Sequence, residues 1–149
     1  MRKALLLPLF CLAATFASGY TEGEDHPPPG GNAPLTRDRL VGTKLDHHRL
    51  SPSVEWHFKD KTFVLISHKP PLPADLTKAI LGEKSSAAKI EGKWNLDETK
   101  GELILKDIKA DGKKSKDKAS LRIQPLGAAR VDIIGLQYNI FPGGAQESP

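Results

Sequence analysis

The sequence predicts a mainly β protein: an antiparallel meander curved into a barrel or half-barrel, with one short helix at about 74–81. Two observations carry this expectation. Apolar residues recur with a period of two along most of the chain, which sends alternate side chains to opposite faces of a strand. Turn-forming residues separate these runs by short intervals, which favours pairing between strands that follow one another. Both features fall between Leu35 and Phe141, a stretch long enough for one modest core.

The elements follow in order. Val54, Trp56 and Phe58 alternate with Glu55, His57 and Lys59, giving a strand with one apolar and one wet face. Lys59-Asp60-Lys61 turns the chain into a β-rich run, Thr62 to Ser67, which holds Phe63, Val64, Leu65 and Ile66. Pro70, Pro71 and Pro73 then forbid a continuing strand. A helix is predicted from Ala74 to Leu81: Asp75 favours its start, Gly82 its end, and Leu76, Ala79 and Ile80 form its buried stripe.

Beyond the helix, Ile90, Gly92, Trp94 and Leu96 alternate with Glu91, Lys93 and Asn95. The segment 97–101 has the composition of a tight hairpin loop, with Gly101 supplying a positive φ. Leu103 and Leu105 belong to the next strand, with Ile108 further on. The stretch 110–118, with Lys113, Lys114, Lys116 and Lys118, reads as a solvated loop. Leu121 and Ile123 mark a fifth strand, and Gly127-Ala128-Ala129 a turn. The run from Arg130 to Phe141 reads as one long strand whose apolar phase switches near Ile134 and Gly135, the mark of a bulge. These are six strands, with a seventh candidate at 40–45. The residues expected to line the core or a cavity are Trp56, Phe58, Phe63, Leu65, Trp94, Leu96, Leu103, Leu105, Ile123 and Tyr138.

The ends of the chain have other characters. Arg2 and Lys3, an apolar stretch over 4–16, and small residues at Ala17 and Gly19 make an export signal over 1–19. The protein is therefore expected to be periplasmic or extracellular. The apolar stretch is shorter than a bilayer span, and no transmembrane segment is expected in the mature chain. Cys11, the only cysteine, lies in the signal, so no disulfide is expected to staple the mature fold. Residues 20–34, rich in Pro and Gly, and the tail 142–149 cannot bury enough apolar surface to order themselves. They read as a disordered leader and tail around a single β domain over 35–141.

Of 22 basic and 18 acidic residues, Arg2 and Lys3 fall in the signal, which leaves the mature chain near balance. Nucleic acid is not an expected partner. No G-x-S-x-G, phosphate loop or dinucleotide fingerprint is present, and no catalytic residue or cofactor is assigned. The histidines are the best candidates for chemistry. Glu55 and His57 share a strand face at i, i+2, and His68 lies at the end of the same hairpin. Such a set has the ligand types of a metal site, although no H-x-x-x-H or cysteine pair supports it, and no metal is assigned. His47 and His48 are adjacent. The segment 107–112 faintly suggests a calcium loop, but Lys109 and Lys118 stand at ligand positions.

Leu40-Val41-Gly42-Thr43-Lys44-Leu45 resembles the opening L-x-G-T-W element of the bacterial lipocalin-like domains, with Lys44 in the tryptophan's place. Residues 54–63 resemble the first hairpin of that family, and Glu91-Gly92-Lys93-Trp94-Asn95-Leu96-Asp97 resembles its G-x-W-x-L-D strand. The resemblance covers about 40–141. It implies an antiparallel barrel or half-barrel in a secreted protein, and it supplies no ligand-contacting residue. The function expected is a non-enzymatic module that binds a small apolar ligand. The alternatives are a structural protein docking an envelope partner through a sheet face or edge, and an unrecognised envelope hydrolase.

Overall fold

The computed structural model describes residues 33–47, 53–83 and 86–144. The export signal, most of the leader, residues 145–149 of the tail, and His48 lie outside the described residues. Eight strands form the structure: β1 (Thr43–His47), β2 (Val54–Phe58), β3 (Thr62–Ser67), β4 (Lys89–Asp97), β5 (Glu102–Ala110), β6 (Lys113–Pro125), β7 (Arg130–Ile133) and β8 (Leu136–Pro142). A four-residue helical turn, α1 (Arg37–Leu40), precedes β1, and α2 (Ala74–Leu81) lies between β3 and β4. Each strand pairs antiparallel with the next, and β8 returns to pair with β1, so the sheet closes into a barrel. The closing ladder runs from Thr43 opposite Pro142 to His47 opposite Tyr138.

Alternation builds the interior. Leu45 pairs with Trp56, Trp56 with Leu65, and Leu65 with Ile90, so one ring of inward side chains crosses four strands. A second ring joins Thr43, Phe58, Phe63 and Gly92. All ten residues expected to line the core are buried. Gly92 occupies an inward position opposite a bulge in β5. A Cβ there would lie 2.6 Å from the Lys106 carbonyl oxygen and 3.2 Å from the Phe63 ring, so only glycine fits.

The two helices stand at opposite ends of the barrel. Leu40 of α1 is fully buried, and Leu35 packs beside it. Arg37 and Arg39 fasten α1 to three turns at that end: the Arg37 guanidinium donates to the Asp60 carbonyl, the Arg37 N–H to Glu98, and the Arg39 guanidinium to the carbonyls of Gly127 and Ala128. The helix α2 has the bounds expected from its sequence. Its buried residues are Leu76, Thr77 and Ile80, with Ala79 only partly covered. Thr77 tolerates this because its hydroxyl donates to the Ala74 carbonyl at 3.0 Å, leaving a methyl group for the core.

Three expectations need correction. The stretch 110–118 is no loop: β5 runs to Ala110, β6 starts at Lys113, and only Asp111 and Gly112 turn the chain. The ladder continues because backbone pairing does not require an apolar face, and residues 113–118 are exposed throughout. The single strand over 130–141 is two strands. Ile134 (φ 51) and Gly135 (φ 87) are both left-handed, which makes a two-residue hairpin of the I′ kind, with Ile133 opposite Leu136. The apolar phase switch is the chain reversing rather than bulging. The candidate strand at 40–45 is divided: Leu40 ends α1, and β1 starts at Thr43.

Candidate functional site

The hairpin of β2 and β3 positions two groups of polar side chains, one outside the barrel wall and one inside it. Because β2 alternates, Glu55 and His57 point away from the ring that holds Trp56. They are nonetheless buried, Glu55 at 9 % exposure and His57 at 4 %. The Glu55 carboxylate is the centre of this outer group. One oxygen accepts from His57 Nε2 at 3.1 Å. The other lies 2.9 Å from His68 Nε2 and 3.4 Å from Lys44 Nζ. Burial alone would push the Glu55 carboxyl up; the hydrogen bonds from His68 and His57 and the charge of Lys44 outweigh it and hold the group below the usual carboxylate range.

The structure thus gathers all three metal-ligand candidates from the sequence: Glu55, His57 and His68. His68 and His57 are not opposite one another in the ladder, where His57 faces Val64. The carboxylate spans the gap. Its two oxygens serve one imidazole each, and the Lys44 ammonium shares one of them. That is the geometry of an ion-pair network, and among the described residues no group of three or more such side chains is arranged to hold a metal ion. Lys44, which the sequence did not mark as a partner of this set, comes from β1 at the position opposite His57.

The inner group is Trp56 and Tyr138, both fully buried. Their rings meet nearly perpendicular, with centroids 6.5 Å apart. Trp56 also stacks on Phe58 at 5.7 Å and leans on Phe63 at 5.8 Å. His47 packs edge-on against Tyr138 at 5.1 Å. The polar atoms of this aromatic cluster are its unusual feature. Trp56 Nε1 and Tyr138 Oη are buried, and among the described residues neither meets a well-formed hydrogen-bond partner beyond the close approach of the indole to the phenol oxygen. Burial pushes the Tyr138 phenol far above its ordinary range, only partly opposed by hydrogen bonding with the Trp56 indole. The second tryptophan shows the contrast: Trp94 Nε1 donates to the Lys59 carbonyl at 2.7 Å, under the Arg37 guanidinium. Periodicity identified Trp56 and Tyr138 as buried, but nothing in the sequence marked their polar atoms as short of partners, because that depends on which carbonyls the closed ring brings near them.

A groove of about 350 Å³ lies along β3, β4 and β5, beside Gly92 and the β5 bulge. Phe63 and Val64 lie in it, with Glu91, Lys93, Asp107 and Lys109 at its margins.

Fold and site together define a small closed antiparallel barrel with the up-and-down order of a lipocalin-like module, capped at both ends and carrying donors inside an apolar interior. No family model, curated protein or solved structure matches the chain.

Proposed function

We propose that this chain is an exported, non-enzymatic, lipocalin-like module that holds one small, mainly apolar ligand with a single oxygen acceptor inside the barrel. The observation that carries this reading is the buried pair Trp56 Nε1 and Tyr138 Oη, which among the described residues have no polar neighbour but each other within a wall of aliphatic and aromatic side chains. Buried donors in folded proteins are nearly always satisfied, and an unsatisfied one costs about 1–3 kcal/mol. A ligand that brings a carbonyl or ether oxygen to the indole N–H recovers that cost, while its hydrocarbon portion matches the lining. An eight-stranded barrel is the size that either fills with side chains or holds one small molecule.

The supporting experiment is native mass spectrometry of protein isolated from its own envelope, followed by titration with a medium-chain methyl ketone and the alkane of equal length. The expected result is a co-purifying small molecule, quenching of Trp56 fluorescence by the ketone, and weaker binding of the alkane. An empty protein that binds neither compound overturns the reading.

Ring closure bears on the alternatives. Every strand has two partners, but β6 meets β7 only over 123–125 while its earlier residues pair with β5 alone, so a partner has the outer face or this one-sided stretch of β6 to use. Hydrolysis by paired carboxylates needs two close buried acids, and Glu55 is the one buried carboxylate among the described residues.

A further inference from the structure

The ladder registers place lysines directly opposite one another across three strands. Lys93 of β4 faces Lys106 of β5, which faces Lys118 of β6. In the row nearer the hairpin tip Lys109 faces Lys114 on one side and Glu91 of β4, itself paired with Lys89, on the other, and Lys113 pairs with Ala110. All of these lysines are exposed. Like charges directly opposite one another destabilise a sheet, so the fold itself gains nothing from this arrangement.

The acids nearby are already engaged. Asp107 pairs with Lys93 at 2.8 Å and Asp117 with Lys114 at 2.8 Å. Asp111 accepts the backbone N–H groups of Ala88 and Lys89. Among the described residues no acid forms an ion pair with Lys106, Lys109, Lys113, Lys116 or Lys118. We propose that this face, the outer side of β4–β6 with the β5–β6 hairpin, docks the protein electrostatically on an anionic lipid surface.

The choice of partner rests on the array. Adjacent strands lie about 5 Å apart and alternate residues along a strand about 7 Å apart, so the ammonium groups spread over two dimensions. A plane of headgroups meets such an array at every point, whereas a single polyanionic strand follows a line. Residues 106–118 contain no arginine and no aromatic residue. Such a segment offers neither the bidentate fork nor the stacking platform that nucleic acids use. Lysines are point charges on flexible stems, suited to mobile headgroups. The exposed outward positions near the hairpin tip are lysines rather than large apolar residues, so contact is with the headgroup layer and not with the hydrocarbon interior. This inference stands whether or not the barrel interior holds a ligand.

The test is co-sedimentation of the purified protein with vesicles of phosphatidylcholine alone and of phosphatidylcholine mixed with phosphatidylglycerol. Binding is expected only to the mixed vesicles, with loss at high salt. Lys106→Ala and Lys118→Ala are each expected to lower partitioning about fivefold. Lys59→Ala, on the turn at the opposite end of the barrel, is expected to leave it unchanged. Circular dichroism of each variant separates loss of binding from loss of fold. Equal binding to both vesicle types, an equal loss in Lys59→Ala, or capture by heparin or single-stranded DNA with no binding to mixed vesicles overturns the proposal.

Discussion

Single side chains in this barrel are set by which wall of β2 they occupy. Outward Glu55 has a depressed pKa, with burial opposed and outweighed by His68, His57 and Lys44. The sign of its contribution follows. A carboxyl whose folded value lies below its unfolded value of about 4.3 adds stability in full above that pH and loses it as pH falls through the folded value. Glu55→Gln is therefore expected to destabilise by about 2–3 kcal/mol at neutral pH, and the gap between variant and parent should narrow as pH falls through the folded value. Urea unfolding across an acid pH series measures it. Inward Tyr138 behaves oppositely. Tyr138→Phe deletes a buried hydroxyl whose one polar neighbour is the Trp56 indole and is expected to leave the empty barrel within about 1 kcal/mol of the parent, while weakening a ketone ligand. Thermal unfolding with and without ketone separates the two effects.

Among the elements, the I′ hairpin between β7 and β8 has the clearest internal conflict. Ile134 is β-branched and held at φ 51, a conformation that costs such a residue about 1–2 kcal/mol. Asparagine is favoured at that position before glycine. Ile134→Asn is expected to raise stability by about 1 kcal/mol, read by urea unfolding; no gain would mean that Ile134's contacts with the core offset the strain. The same residue explains why the element was misread from sequence. An Asn-Gly pair announces a hairpin, whereas Ile-Gly inside an apolar run reads as a bulge. The β5–β6 ribbon was hidden for a related reason: with lysine on both phases, its strand character lies in backbone pairing, which leaves no pattern in side chains. By contrast the bounds of α2 were legible, because Asp75 and Gly82 mark its ends, although Thr77 rather than Ala79 completes its buried face. The inward phase of β2 was legible because Val54, Trp56 and Phe58 alternate, although its other phase, Glu55 and His57, is buried rather than wet. The outer polar group was half legible. Strand periodicity joins Glu55 to His57, but only the pairing of β1 with β2 brings Lys44 to them.

At the scale of the whole molecule, closure was the feature that local pattern could not decide. Strand rhythm is identical in an open and a closed sheet; what differs is whether β8 reaches β1, a contact between residues about a hundred positions apart. Pairing Thr43 with Pro142 has a consequence for chain order and for biogenesis. The first and last strands are neighbours, so a circular permutant that joins residues near 36 and 144 by a short Gly-Ser segment and reopens between Asp111 and Gly112 is expected to fold to the same ring, with an unchanged circular dichroism spectrum. A nascent polypeptide, however, cannot seal the ring until its final strand has emerged. Until then β1 and β7 each present an unpaired edge open to self-association, so a chain that stops before Leu136 should accumulate as insoluble aggregate while the complete chain stays dispersed.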